Sequence, residues 1–476
     1  MFETGVRQLR MALSMASGRR VNPRNLERLV GDAVSTLAMF GSPGDDLEQM
    51  LDGPFADPAN RRGFQEQSLR RTARRLGRLS PHYRSLFGAT GIDPGRLTLE
   101  DVGRIPLTTK RDLIEHAEDF LVDGARPAMA TRTTGTTGRP AEVWVSRYEI
   151  ELWSGLAALS GLLRDEIRPG DCLQINISSR ASAAMQQNMT MCRLVGARSR
   201  PLGIVPPADS LDSLVSGGER SPTLLATYPS YLAELVKAAR RRGLGPDDFR
   251  LRRIDCGGEV LSRALSAAAS ETLGARVNDT FGMTEVLPVS GRVCERGHLH
   301  HDLNVGYVEV LDAKTWQPVA VGEVGTAVVT PYYPYRECMP VFRYDTRDLV
   351  RRLRDEPLGC SLSAVPATSR ILGKADQVPR IGGRTVTPRQ LVEAYEAMPG
   401  EPWPARFAAR AHPRHLELEL AQDVAASLRP GELERLVTAE AGNVAVVCSV
   451  ADGTSAVDLR RVRSDLLETT FTRQES

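Results

Sequence analysis

The sequence predicts an α/β fold built on mostly parallel strands, and three observations carry that prediction. Between about residues 130 and 330, short β-forming runs alternate with helical ones. CLQIN precedes AAMQQNMTMCRLVGA, LLATY precedes SYLAELVKAARRRGL, and LRRIDCGG precedes SRALSAAASETLGA. Several strand-like runs end in glycine turns, where parallel sheets place nucleotide sites. Finally, 476 residues with 41% hydrophobic and 25% charged side chains are enough for two or three domains around a large core.

Along the chain, residues 1–60 read as polar, partly helical material broken at Gly41-Ser42-Pro43-Gly44 and Asp52-Gly53-Pro54. Residues 64–90 carry helix periodicity through Leu69, Leu76, Leu79, Tyr83 and Phe87. Residues 305–350 read as antiparallel strands, and a small α+β unit rich in Arg and Pro follows after about 375. No internal repeat or low-complexity tract is present. The basic and acidic residues nearly balance, 61 against 59, for a net charge of +2. That balance argues against nucleic acid or an anionic membrane as partner. Seven scattered cysteines fit reduced thiols better than a disulfide scaffold. The first 20 residues carry charges through their apolar positions and predict no signal peptide, and no run reaches the length of a membrane span, so a cytoplasmic protein is expected.

Four strings carry chemistry. In Thr133-Thr134-Gly135-Thr136-Thr137-Gly138-Arg139-Pro140, backbone N–H groups, hydroxyls and the Arg139 guanidinium can converge on phosphate oxygens. The string lacks the Gly-Lys-Ser/Thr ending of a Walker loop, and by composition alone it also suits a polar surface loop. Asp279-Thr280-Phe281-Gly282-Met283-Thr284-Glu285 follows a strand-like run. Its ring and glycine suit a flat base, and the Glu285 carboxylate suits Mg²⁺. Cys256-Gly257-Gly258-Glu259 ends another strand. Arg343-Tyr344-Asp345-Thr346-Arg347-Asp348 offers carboxylates to ribose hydroxyls. Gly373-Lys374-Ala375-Asp376 begins a turn that leads to a Pro-started helix.

In this order and spacing the strings resemble the adenylate-forming superfamily of acyl-CoA synthetases, adenylation domains and luciferases, and within it the phenylacetate–coenzyme A ligase-like branch. The likeness spans roughly residues 64–465 and includes SPHYRSLF, PLTTKRDL, TYPSYL, GGEVLS, FGMTEV and RGHLH. The resemblance implies a large adenylation domain, residues 1–375, and a small mobile α+β domain, residues 376–476, hinged at Asp376. It implies ATP and AMP as nucleotides, with Mg²⁺ on Glu285. Thr133, Thr134, Gly135, Thr136, Thr137, Gly138 and Arg139 would wrap the polyphosphate. Gly257, Gly258, Glu259, Asp279, Thr280 and Phe281 would frame adenine, Thr284 would approach the α-phosphate, and Asp348 with Lys374 would serve the ribose side. Tyr228, Tyr231, Phe281, Met283 and Pro288 are candidates for lining an acid pocket. Their apolar and aromatic character suits a flat aryl group, and equally a packed core. The expected reaction activates a small acid as its mixed anhydride with AMP. The anhydride then passes to a thiol, by default that of coenzyme A, or to an amine. A homodimer is the assembly such relatives often form, although no interface stripe stands out.

The chain departs from the branch in one chemically serious way. Lysine occurs only at Lys110, Lys237, Lys314 and Lys374. The branch carries a C-terminal lysine that bridges the acid oxygen and the α-phosphate, and Val457-Asp458 aligns there instead. Attack of an anion on a phosphate needs positive charge at both oxygens. Three readings stand: Arg460, Arg461 or Arg463 substitutes, although a planar guanidinium is not equivalent to an ammonium; the acid is small, such as nitrite passed to an aryl amine; or the protein binds nucleotide without turnover. The resemblance also implies zinc near the segment after FGMTEV. Cys294, His298, His300, His301 and Cys360 are its candidate ligands, Cys294, His300 and Cys360 foremost, with Cys338 nearby in sequence. No CxxC pair is present, and buried free cysteines are the competing reading.

Overall fold

A computed structural model describes residues 19–41, 56–132, 141–355, 358–377, 380–381, 384–420, 422–427, 429, 431–450 and 472–473. The polar N-terminal region contains a helix, Pro23–Phe40, capped by the Asn22 side chain. The periodic stretch at 64–90 forms two helices rather than one. Pro58–Leu79 stops at Ser80, and the Ser80 hydroxyl then caps Pro81–Thr90. Proline at the first helical position needs no N–H donor, so a Ser-Pro pair both ends one helix and starts the next.

Strands β1 (Pro127–Arg132) and β2 (Glu142–Ser146) form an antiparallel hairpin. The hydroxyl-rich string 133–140 connects them and lies outside the described residues. The helix after β2 opens with a capping box in which the Glu149 carboxylate accepts from Ser146 N–H at 2.6 Å.

The alternating region forms β3 (Cys172–Asn176), β4 (Arg198–Pro201), β5 (Leu224–Thr227), β6 (Arg253–Gly257) and β7 (Arg276–Gly282), all parallel. β8 (Ser290–Val293) extends this sheet antiparallel to β7, and β9 (His298–His301) follows antiparallel to β8. β10 (Gly306–Leu311), β11 (Val324–Pro331) and β12 (Tyr344–Arg351) form the antiparallel set expected at 305–350. β13 (Ala367–Ser369) closes the large sheet on β9, giving the strand order β13-β9-β8-β7-β6-β5-β3-β4. β14 (Gly373–Lys374) pairs with β12 and so carries Lys374 beside Asp348. The short pair β15 (Arg380–Ile381) and β16 (Arg384–Thr385) then leads to a sheet of β17 (Phe407–Ala411), β18 (Leu416–Leu420), β19 (Val446–Val450) and β20 (Thr472–Arg473).

Three main hydrophobic clusters follow this layout. One packs helices on the parallel sheet around Ile175, Leu225, Tyr231 and Ile254. A second joins the N-terminal helices to the β10–β12 region through Tyr83, Phe87, Phe342 and Tyr344. The third draws only on residues from Ile381 onward, including Tyr395, Leu418 and Val437. No helix among the described residues is long and apolar enough to cross a membrane.

Candidate active site

A cavity of about 520 Å³ opens where the parallel strands end. Its wall takes Ile177 and Ala181 after β3, Thr227–Ser230 after β5, Gly257–Glu259 after β6, and Asp279–Glu285 from the end of β7 and its turn. In sequential order, β4 and β5 flank β3 on opposite sides. The cavity therefore sits at a topological switch point, where such sheets bind ligands. The opposite wall is Tyr344–Asp348, with Lys374 from β14, Lys110 from an N-terminal helix, and Pro388, Arg389 and Phe407 from the C-terminal unit.

Backbone demands explain the glycines. A Cβ on Gly257 would lie 2.7 Å from Thr280 Oγ1 and 2.9 Å from Thr280 O, and Gly258 has φ +83°. The two neighbouring strand ends approach too closely for any side chain at 257, which leaves bare backbone facing the cavity. Glu259 accepts from Ser230 N–H at 3.0 Å, tying the ends of β5 and β6 together.

Glu285 lies on a 3-10 turn, Thr284–Val286, and is 5% exposed. Tyr344 OH donates to Glu285 Oε1 at 3.3 Å, and Thr284 lines the cavity beside it. Lys374 Nζ lies 3.0 Å from Asp348 Oδ1 and donates to Thr346 O at 3.1 Å. Burial pushes the Asp348 carboxyl above its ordinary range; the Lys374 ammonium opposes that rise, while Asp345 and Asp376 add to it. Arg347, at φ +58°, reaches Asp376 at 3.9 Å.

The other expected residues divide. Phe281, Thr280 and Met283 line the cavity, as does Tyr228, whose hydroxyl accepts from Ser178 N–H at 3.0 Å. Pro288 is not among the lining residues; Leu287 is. Tyr231 belongs to the core and donates to Val205 O at 2.7 Å. Asp279 borders the cavity, but Arg370 binds its carboxylate at 2.7 Å, and Arg389 stands 3.6 Å away. Thr133, Thr134, Gly135, Thr136, Thr137, Gly138 and Arg139 lie outside the described residues, as do Arg460, Arg461 and Arg463. Lys110 is a lining residue that the motif strings did not single out; its signal was the scarcity of lysine.

Cys294, His298, His300 and Cys360 converge, with one ligand atom from each within 4.8 Å of the others. Two thiols and two imidazoles are the donor set of a tetrahedral zinc centre. His300 Nδ1 meets Val365 O at 2.8 Å, which leaves its Nε2 facing Cys360 Sγ at 3.3 Å. A backbone carbonyl on the far nitrogen is how ligating imidazoles are oriented. His298 Nδ1 is buried with no protein partner, as an ion-facing nitrogen would be. Of the five candidates, His301 alone stands outside the cluster. His301 points to the other face of β9, meets Thr368 Oγ1 at 3.2 Å and packs edge-on to Phe281. Cys338 is buried outside the cluster, its N–H donating to Glu149 at 3.1 Å, and Cys256 is a fully buried thiol whose pKa burial raises well above the usual value, as in an inert core cysteine. The basis for the His298/His301 distinction is strand geometry: residues two apart share a face, and adjacent ones do not.

Fold and cavity together define a nucleotide-dependent enzyme with its site at parallel strand ends. Comparison with known proteins agrees. A family model described as AMP-binding enzyme matches residues 94–331. The chain is 30% identical over 354 residues to phenylacetate-coenzyme A ligase of Thermus thermophilus, covering 71% of this chain and 76% of that one. It is 26% identical over 358 residues to the Escherichia coli protein of the same name, covering 69% and 75%. A crystal structure of 2-hydroxyisobutyryl-CoA ligase, in the postadenylation state with 2-HIB-AMP, superposes with a TM-score of 0.71 at 22% identity, covering 84% of this chain and 88% of that one. The chain belongs to the AMP-binding enzyme family. It is an ATP-dependent, AMP-forming ligase of the phenylacetate–coenzyme A ligase-like branch.

Proposed function

We propose that this ligase activates a small aromatic carboxylic acid as its acyl adenylate and passes the acyl group to the thiol of coenzyme A. The observation that carries the proposal is the convergence of Gly257–Glu259, Thr284, Glu285, Asp348 and Lys374 on one cavity that is also lined by Phe281 and Tyr228. The bare backbone of 257–258 and the ring of Phe281 suit a purine; Asp348, held by Lys374, suits ribose hydroxyls. Ile177, Ala181, Ala184 and Tyr228 offer apolar surface to an acid, with Gln187 and Asn188 beside them. The names of the matched relatives support coenzyme A as acceptor.

In the first step a carboxylate oxygen attacks the α-phosphorus of ATP. A new P–O bond forms, the α–β bridging bond breaks, and pyrophosphate leaves with the electron pair. Thr284 would donate to an α-phosphate oxygen, and by its sequence the 133–139 string would offer N–H and hydroxyl donors to the leaving group. Glu285 would hold Mg²⁺, which neutralises charge on the phosphate oxygens when bound. In the second step the thiol sulfur attacks the acyl carbon and AMP departs.

The boundary near residue 375 belongs to the same reading. The third hydrophobic cluster is separate and begins at Ile381. The C-terminal unit docks through Arg389, Glu393 and Glu396, where it borders the cavity. A hinge at Asp376 would let residues 376–476 present a different face for the second step. We also assign a structural zinc to Cys294, His298, His300 and Cys360, which would tie β9 to the segment before β13.

Acid-dependent exchange of pyrophosphate into ATP tests the proposal with a panel of aryl carboxylates, short aliphatic acids and nitrite. Exchange with aryl acids, followed by thioester formation on adding coenzyme A, is the expected result. Exchange with nitrite alone would replace it with transfer to an amine, and no exchange with any acid would leave a nucleotide-binding homologue without turnover.

A further inference from the structure

We infer that Lys110 is the cation that stabilises adenylation in this chain, acting from the N-terminal side of the cavity where relatives use a C-terminal lysine. The inference rests on the adenylation reading above and deepens it.

The need is chemical. As the acid oxygen closes on the α-phosphorus, two anionic groups are forced together, and the pentavalent arrangement carries more charge than either partner. A preorganised ammonium in a water-poor site is worth most at that moment. No lysine follows Lys374 anywhere in the sequence, and Lys374 is bound to Asp348 and the Thr346 carbonyl on the ribose side. Of the remaining lysines, Lys314 is exposed on a turn and Lys237 sits on the helix Pro229–Arg241 outside the cavity wall.

Lys110 is brought to the wall by a deliberate piece of folding. Thr109 caps the helix Lys110–Glu115 with a reciprocal capping box to Asp112, so Lys110 is the first helical residue. Thr108 is stitched to β12: its N–H donates to Arg343 O at 3.0 Å, its hydroxyl donates to Phe342 O at 2.8 Å, and its carbonyl accepts from Asp345 N–H at 2.9 Å. This bridge pairs Thr108 with Tyr344, the residue whose hydroxyl holds Glu285. Lys110 therefore enters the cavity two residues beyond a fixed point on the same strand that carries Asp348.

Its surroundings match the role. Glu285 is the strongest electrostatic attraction on the Lys110 ammonium, with Asp376 attracting it and Lys374 repelling it more weakly. Burial lowers its pKa from the ordinary lysine value, as partial removal from water does to an ammonium. The other cations of the wall face structural carboxylates: Arg253 faces Asp255 and Glu166, Arg389 faces Asp279 and Glu393, and Arg347 faces Asp376. Lys110 lines the cavity together with Thr284 and Glu285, and Glu285 is the first attraction on its charge. Its role is that of a charge: no proton is transferred when the P–O bond forms.

The two half-reactions separate this role from a structural one. In Lys110→Gln, acid-dependent pyrophosphate exchange should fall by about 10²–10³-fold, the usual loss for one donor to a developing anion. Thioester formation from a supplied acyl adenylate should change less than about threefold. Lys110→Arg should recover at least a tenth of the lost exchange, because charge returns without the ammonium geometry. A melting temperature within about 2 °C of wild type shows that the fold is intact; one glutamine at the first position of a capped surface helix is tolerated. Exchange that survives Lys110→Gln would overturn the inference. So would equal loss in both half-reactions, or a full effect from Arg460→Ala, Arg461→Ala or Arg463→Ala with none from Lys110→Gln. A wild-type chain that shows no exchange with any acid would instead remove the function on which the inference stands.

Discussion

Lys374 holds Asp348 across two paired strands, β14 and β12, at 3.0 Å, and so opposes the upward push that burial gives this carboxyl at the place where a ribose would sit. Burial alone would favour the protonated acid, which accepts hydrogen bonds poorly. Lys374→Met should therefore weaken AMP binding through Asp348 without touching the nucleotide directly. We expect the AMP-induced rise in melting temperature seen for wild type to shrink by an amount equivalent to 10–100-fold weaker binding. An undiminished rise in the variant would show that Asp348 does not depend on this pairing.

Arg389 joins the C-terminal unit to the parallel sheet. Its guanidinium donates to Leu261 O at 2.9 Å and to Ile371 O at 2.5 Å, and stands 3.4 Å from Glu393 and 3.6 Å from Asp279. Burial pulls its pKa down to about 10, so it remains charged at neutral pH. Arg389→Ala takes the donor from Ile371 O and a cation from beside Glu393 and Asp279, which keep Arg263 N–H and Arg370 as partners, and removal of one partner from a buried ionic group costs up to about 3–5 kcal/mol. Calorimetric melting should show a drop of several degrees and earlier proteolytic cleavage near residue 376. Unchanged melting would mean this contact does not hold the units together.

Glu396 makes the same junction pH-sensitive. Its carboxylate accepts from Ser262 Oγ and from Ala405 N–H at 2.9 Å, and faces Glu393 and Glu259. Burial raises its pKa from 4.5 to about 7. The folded chain then holds a proton that the unfolded chain releases. This contribution is complete below about pH 4.5 and is lost as pH rises through about 7, up to about 3 kcal/mol in all. Denaturant midpoints of wild type relative to Glu396→Gln should fall between pH 5 and 7.5 and level off above. A difference that does not vary with pH would refute the assignment.

Purified chain should carry about one zinc ion, measured by elemental analysis, and Cys294→Ser or Cys360→Ser should lose it together with several degrees of thermal stability. His301→Ala should keep the metal, because that ring faces away from the cluster. Metal-free wild type with an unchanged melting point after chelation would remove the zinc assignment.

The alternation of β and helical runs was legible where a short apolar strand precedes an amphipathic helix, as in LLATY before the helix at Pro229. The site strings were legible because glycine turns and carboxylates mark strand ends, and Gly257 shows the reason in its contact with Thr280. Contacts between distant segments were not legible. Lys110 meets Glu285 only through the Thr108–Tyr344 bridge, and Arg370 and Arg389 are two among many arginines until the fold sets them on Asp279. The His298–His300 pairing was within reach once β9 was taken as a strand, because period two puts both on one face. The Ser80-Pro81 break was likewise readable from proline chemistry, but helix periodicity ran across it.

Titration calorimetry of the folded chain with AMP and with magnesium–ATP tests the central claim most directly. Saturable, one-to-one binding of both nucleotides, with AMP binding weakened at least tenfold in Asp348→Asn, is the predicted result. Absence of heat and of binding for both nucleotides, in protein shown to be folded, would contradict it.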